Sequence, residues 1–409
     1  MDLYIRENYL RKIRGFYHTD DLIKVITGVR RSGKSSLMQM IAEELKSSGI
    51  PDSRILYFDL DRREYRDIVT ADKLESLIQS KCVTDEMKYL FIDEVQNVKD
   101  FELVLNWFRT EGNWSIFITG SNSYLLSGEL VTKLTGRYIE FEIYPLSFQE
   151  YEGMKSFFSK EINPNPMAEL MNYILEGGFP RTVLFDDMAD KRKYVQGVVS
   201  EIFEKDIRKR LKIKNKDSFE TVRKYIINNF GATTSLNNVC EAIRKKGTPI
   251  NVSTISKYIK ALIDAKILYE CPRFDMKSKR SLSGEKKYYL ADLSFYFAEN
   301  TDNKINYGPV LENIVYIYAK SLDYSVSVGR FGKFECDFIV RGTDMQYAYI
   351  QVAYTIASSK ETEEREYRPL ESIKDNYPRY VVTTDYLLEQ RNGIRHVNLM
   401  DFISKDKRF

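Results

Sequence analysis

The chain has 409 residues, 43% hydrophobic and 30% charged, and its 62 Lys and Arg against 59 Asp and Glu leave a formal net charge of +3. At roughly 100 to 200 residues per domain this length implies two or three domains, and the composition excludes disordered, collagenous and disulfide-scaffold classes. Four scattered cysteines and two histidines exclude a zinc site or a Cys/His catalytic pair. No apolar run approaches the roughly 18 to 20 residues of a membrane span, and the charged opening MDLYIRENYLRKIRGFYHTD has no secretory pattern, so a cytoplasmic protein with no membrane partner is expected.

Leu22 to Thr27 is a short β-branched run ending at a glycine, and from Lys34 the apolar residues Leu37, Met38, Ile41, Ala42 and Leu45 recur at helical spacing. Strand-like runs follow at Ile55 to Leu60, Tyr89 to Ile92, Ser115 to Thr119 and Tyr138 to Ile143, separated by helix-length stretches such as Ala71 to Lys81 and Phe101 to Thr110. Strands alternating with helices predict an α/β fold with a parallel sheet covered on both faces.

Between the first strand and its helix, Gly28-Val29-Arg30-Arg31-Ser32-Gly33-Lys34-Ser35 satisfies G-x-x-x-x-G-K-[ST]. Glycines let the backbone curl so that its N–H groups face phosphate oxygens, and the helix that follows adds its positive end. Residues Gly28 to Ser36 are therefore the expected ATP-binding loop: Gly28, Val29, Arg30, Arg31, Ser32, Gly33, Lys34, Ser35 and Ser36. Lys34 is assigned to the β- and γ-phosphates and Ser35 to Mg²⁺. Tyr89 to Ile92 then carries Asp93 and Glu94 out of a buried strand. Asp93 is expected to hold Mg²⁺ through water and Glu94 to polarise the attacking water, which makes hydrolysis the expected outcome.

Another strand ends at Thr119-Gly120-Ser121-Asn122, where Ser121 or Asn122 is a candidate for the γ-phosphate or the water. Arg137 stands just ahead of the strand Tyr138 to Ile143; on its own it reads as a solvated arginine first, with a finger into a neighbouring subunit's site as the alternative.

GVRRSGKSSL, YLFIDEVQ, ITGSN, LTGR and YPLSFQEY, in this order, resemble the prokaryotic AAA-type, archaeal-ATPase-like proteins. The likeness spans almost the whole chain and implies a P-loop NTPase sheet with a helical lid, a winged helix and a degenerate restriction-nuclease-like α/β domain. It implies the domains 1–146 (ATPase core), 147–215 (lid), 216–295 (winged helix) and 296–409 (nuclease-like). It also makes Asn122 a first sensor, Arg137 an arginine finger and hence the protein a homo-oligomer. Gly177, Gly178 and Pro180 match a GGxP turn, with Arg181 a second sensor.

Bases crowd Lys205 to Lys216, and Phe219 to Asn229, Leu236 to Arg244 and Ser253 to Asp264 read as three amphipathic helices followed by strand-like Ile267 to Cys271 and Lys287 to Leu290. Lys257 and Lys260 on the third helix suit duplex DNA; a protein-binding winged helix is the competing reading. In the last domain Glu312, Asp337 and Gln351-Val352-Ala353 follow the order of a nuclease core, but an amide stands for the second acid and a methyl for the lysine. The expectation is that fold without metal-dependent cleavage. An ATP-regulated nuclease and a nucleotide-gated switch binding protein are the alternatives to a DNA-associated ATPase.

Overall fold

The computed structural model describes residues 3–82, 84–120, 134–208, 213, 215–278, 280–300, 305–405 and 407–409, without the side chains of 280–283. The chain divides into two compact units, Met1–Ile143 with Ile202–Arg210, and Tyr144–Glu201 with Leu211–Phe409. Among the described residues no helix is long and apolar enough to cross a membrane.

In the first unit, a helix α1 (Glu7–Ile13) precedes five parallel strands: β1 (Ile23–Thr27), β2 (Ile55–Asp59), β3 (Lys88–Asp93), β4 (Trp114–Thr119) and β5 (Tyr138–Glu142). Their order across the sheet is β2-β3-β4-β1-β5. Because strand residues alternate in direction, Leu90 and Ile92 of β3 join one core with α3 (Ala71–Lys81) and α4 (Phe101–Glu111). Tyr89 and Phe91 join the other with α1 and α2 (Lys34–Ser47). Covering both faces requires strands that are apolar throughout, which accounts for the unbroken Tyr89–Ile92 and Ile116–Ile118 runs. The stacked rings of Phe91 and Phe117, centroids 4.7 Å apart, sit at the centre of the second core; truncating either to Ala would cost roughly 3 to 5 kcal/mol.

The second unit begins with α5 (Phe148–Phe157), started by a capping box in which Ser147 and Glu150 satisfy each other's backbone amides. Then come α6 (Pro166–Glu176) and α7 (Met188–Glu201), with the Gly177-Gly178 turn after α6. Gly177 has φ +76, and a Cβ there would lie 2.1 Å from Asp292 Oδ1. Gly178 N donates to Asp292 Oδ2 at 2.6 Å. The turn is thus glycine because a buried carboxylate reaches its backbone.

Three helices follow, α8 (Lys216–Asn228), α9 (Leu236–Lys245) and α10 (Val252–Asp264), each capped by an asparagine or serine. Phe219 of α8 packs edge-on against Tyr258 of α10. A hairpin, β6 (Leu268–Asp275) and β7 (Arg280–Leu290), leads through α11 (Ser294–Glu299) and α12 (Tyr307–Ser321) to β8 (Ser325–Phe331), β9 (Phe334–Arg341) and β10 (Tyr347–Val352). The chain ends with α13 (Lys360–Glu371), β11 (Arg379–Thr383), β12 (Gln390–Arg391), β13 (Ile394–Asn398) and α14 (Leu399–Ile403).

Two groupings differ from the expected domain boundaries. The hairpin does not stand apart: β6 pairs in parallel with β8 from Arg273↔Val328 onward, so residues on both sides of the expected boundary at 295 share one eight-stranded sheet, β12-β13-β11-β10-β9-β8-β6-β7. The segment Ile202–Arg210, expected in a lid, belongs to the first unit, where Ile202, Phe203, Asp206 and Ile207 are buried.

Candidate functional site

The carboxyl ends of β1 to β4 meet at one edge of the first sheet, and the loop after β1 crosses it. Gly28 (φ +140) lies so close to the backbone that a Cβ would stand 2.1 Å from the Ile143 carbonyl oxygen. Gly33 (φ +103) caps α2, and Arg31 is also left-handed at φ 69. The turn brings Ser32 to full burial, and its Oγ has no hydrogen-bond partner among the described residues. A buried orphan hydroxyl costs roughly 1 to 3 kcal/mol, so this loop carries a polar position that a phosphate oxygen would satisfy.

Lys34 folds back over the loop, its Nζ donating to the carbonyls of Gly28 at 3.0 Å and Val29 at 3.2 Å. Burial pulls its ammonium below the usual lysine range, against the nearby charges of Glu94, Asp206 and Asp93. Ser35 hydrogen-bonds Asp93, which also accepts from the Thr119 hydroxyl. Thr119 Oγ1 in turn accepts from Glu94 N at 3.3 Å. Asp59, at the end of β2, is the register partner of Asp93. Burial raises the Asp93 carboxyl above its ordinary value, with the Ser35 and Thr119 bonds opposing.

Glu94 adopts φ 56, ψ 44, a left-handed conformation unfavourable for a side-chain-bearing residue. Gln96 Nε2 donates to its Oε2 at 2.5 Å. Burial, the largest influence, raises the Glu94 carboxyl as well, opposed by Gln96, Lys34 and Arg30. A half-buried carboxylate shifted upward and held in a strained backbone is suited to accepting a proton.

A family model described as an AAA domain matches residues 20–152, and one described as a domain of unknown function matches 167–304. An uncharacterized protein of Haemophilus influenzae is 34% identical over 400 residues, covering 97% of this chain and 98% of its own. The chain belongs to the same family, and its first unit is an AAA-type P-loop ATPase fold. An uncharacterized protein of Methanocaldococcus jannaschii is 30% identical over 364 residues, 86% of this chain and 79% of that one. Among solved structures, the Walker-type ATPase PABY2304 of Pyrococcus abyssi aligns over 73% of this chain and 96% of its own, with a TM-score of 0.53 at 16% identity. That likeness is one of fold.

In this AAA domain the loop Gly28–Ser36, Asp93 and Glu94 are brought together. Asn122 and Ser121 lie outside the described residues. Arg137 does not join its own loop: it precedes β5 at the opposite end of the sheet, exposed, with Nη1 donating to Asn106 Oδ1 at 3.1 Å. Arg181, in the second unit, lies 6.0 Å from the Phe185 ring centroid.

Sequence reasoning missed several supports. Arg6, buried ahead of α1, donates from Nη1 to Ser32 O at 3.0 Å. Arg30 makes a two-pronged pair with Asp206, 3.0 and 2.9 Å, from the π-helical turn Ile202–Arg208. Nothing in the local pattern marks Arg6 or Asp206; both act across long sequence separations. Thr119 stood at a predicted strand end, where the hydroxyl itself was the available signal.

Proposed function

We propose that the chain is a Mg²⁺-dependent ATPase whose nucleotide state governs a DNA-associated second unit, and that it acts in the cytoplasm as a homo-oligomer. The observation that carries this is the loop itself: a lysine and an orphan buried hydroxyl beside a paired Ser35–Asp93 and a strained, half-buried glutamate. Lys34 would exchange its two backbone carbonyls for phosphate oxygens. Ser35 and Asp93, oxygen donors of the kind a hard cation takes, would hold Mg²⁺, which neutralises phosphate charge when bound. Glu94 would take the proton of the attacking water, Asn122 would sense the γ-phosphate, and Arg137 of another copy would offset transition-state charge. Lys34→Ala should lose ATP binding, whereas Glu94→Gln should bind ATP and fail to hydrolyse it. Equal loss of affinity in both variants would remove Glu94 from its role.

In this reading 147–215 form the lid apart from Ile202–Arg210, which belongs to the first unit, 216–295 form a winged helix with its hairpin merged into the next sheet, and 296–409 an inactive nuclease-like domain. Exposed Ser256, Lys257 and Lys260 on α10 favour duplex DNA as the partner of the winged helix. Arg244, by contrast, is spent on the Ile250 carbonyl at 2.7 Å. Of the basic stretch, Lys209, Arg210, Lys212 and Lys214 lie outside the described residues. Log affinity for duplex should fall with log salt at about −0.9 per phosphate contacted, and Lys257→Glu with Lys260→Glu should flatten that slope without altering ATPase. Duplex binding indifferent to both changes would favour a protein-binding switch.

A further inference from the structure

Glu312, Glu335 and Asp337 come from two elements of the second unit, α12 and β9, yet converge on one point. That point holds the ammonium of Lys287 from β7: its Nζ is 3.2 Å from Glu312 Oε2, 3.3 Å from Glu335 Oε1 and 3.8 Å from Asp337 Oδ1. The lysine side chain is only 7% exposed. Burial acts to lower its pKa, but Glu312, Asp337 and Glu335 together outweigh burial and hold it above the usual range. Other donors share these carboxylates: Glu312 Oε2 also accepts from Tyr289 at 2.7 Å, Glu335 Oε2 accepts from Arg273 Nη2 at 2.9 Å, and Asp337 Oδ2 accepts from Val352 N at 2.9 Å. Where a second acid would stand, Gln351 donates its amide to Glu366 at 2.9 Å instead.

These acids do not fit the divalent metal that a nuclease-like domain implies. A metal ion would need the same carboxylate oxygens at about 2.0 to 2.6 Å, and a second cation cannot share them with an ammonium 3 to 4 Å away without strong repulsion. We infer that Lys287 is the resident cation of this cluster, standing where a nuclease would keep its metal and closing the site to divalent ions. The inference rests on the nuclease-like reading of 296–409 only for the choice of metal as the excluded ligand. It also places a lysine in a cluster whose sequence pattern shows alanine at position 353, because Lys287 arrives from a hairpin fifty residues upstream of Asp337.

The test is Mn²⁺ binding to the full-length, nucleotide-free protein, by calorimetry and by the paramagnetic spectrum of the free ion. The unaltered protein should show no site that Asp337→Asn abolishes. Lys287→Met should gain one, with affinity raised at least about tenfold, and Lys287→Met with Asp337→Asn should lose it again. Because three carboxylates without a cation destabilise the fold, Lys287→Met with Glu312→Gln serves as a second variant, expected to gain Mn²⁺ affinity through Glu335 and Asp337. Melting temperature gives an independent reading: Mn²⁺ should raise it more in the Lys287 variants than in the unaltered protein, by a difference that Asp337→Asn removes. An Asp337-dependent Mn²⁺ site in the unaltered protein would overturn the inference, and metal-dependent nicking of plasmid DNA at that site would overturn the inactive-nuclease reading with it. Neither lysine variant gaining Mn²⁺ would sink the inference alone and leave that reading standing.

Discussion

Lys24 is a lysine in the middle of a buried strand, fully shielded from solvent. Its Nζ donates to Thr19 O at 2.6 Å, Leu22 O at 3.1 Å and Ser115 Oγ at 2.9 Å, and lies 4.7 Å from the Phe117 ring centroid. Burial pulls its pKa down to about 7, with Asp21 and Asp20 opposing only from a distance. In the unfolded chain the same group holds its proton up to about 10.5. Between those values the unfolded state binds more protons, so folding stability is fully present above the upper value and declines as pH falls toward 7. Over the whole window the change is on the order of 5 kcal/mol at most. Denaturant unfolding between pH 7 and 9.5 should show stability climbing with pH in the unaltered protein and a flatter profile in Lys24→Met. Parallel profiles would mean that Lys24 remains charged in the core. The same economy governs Gly28: with the Ile143 carbonyl against it, a methyl group cannot be accommodated, whereas Gly15, with nothing within 4 Å of its would-be Cβ, is under no such constraint.

At the scale of elements, the strands and helices of the AAA domain were legible because burial on two faces writes long apolar runs, and because a phosphate loop requires glycine at fixed offsets. The predicted β2 and β3 end within a residue of the observed ones. The helix α1 was not legible, since its apolar face is only Tyr9, Leu10 and Ile13 amid charges. Nor was α13, KETEEREYRPLE, whose composition is almost wholly polar and which contains Pro369. The allegiance of the β6–β7 hairpin was hidden because parallel pairing with β8 is a long-range event that leaves no local mark. The π-helical turn Ile202–Arg208 is the clearest case: its bases suggested a nucleic-acid surface, yet its buried acid Asp206 is what ties it to Arg30 of the phosphate loop. The segment Ile202–Arg210, which includes this turn, belongs to the first unit and interrupts the second in sequence; under the proposed function it is the covalent link that would carry the nucleotide state between them. Asp206→Asn should therefore keep ATP binding, strengthened a few-fold because Arg30 loses this countercharge, and should abolish nucleotide-dependent changes in hydrogen exchange of α8. Exchange that still responds to ATP in this variant would show that the pair is only structural.

For the whole molecule, the position of Arg137 fixes where a catalytic role would have to be played. Its carbonyl accepts from Ile23 N at 2.9 Å, at the start of β1, while the phosphate loop follows Thr27 at the far end, paired with Glu142. Four residues of strand separate the two ends by roughly 13 Å, beyond the reach of an arginine side chain to its own nucleotide. Any catalytic role must be played on another copy, and then Arg137→Ala should bind ATP normally while losing roughly 10³-fold or more in turnover. Arg137→Ala mixed with Lys34→Ala should recover part of the activity, because the first supplies an intact loop and the second an intact arginine. Recovery should rise with total protein concentration and pass through a maximum near equal amounts. Light scattering with and without ATP would establish that mixed assemblies form; activity absent from such assemblies would leave Arg137 to its bond with Asn106 and the exposed surface around it.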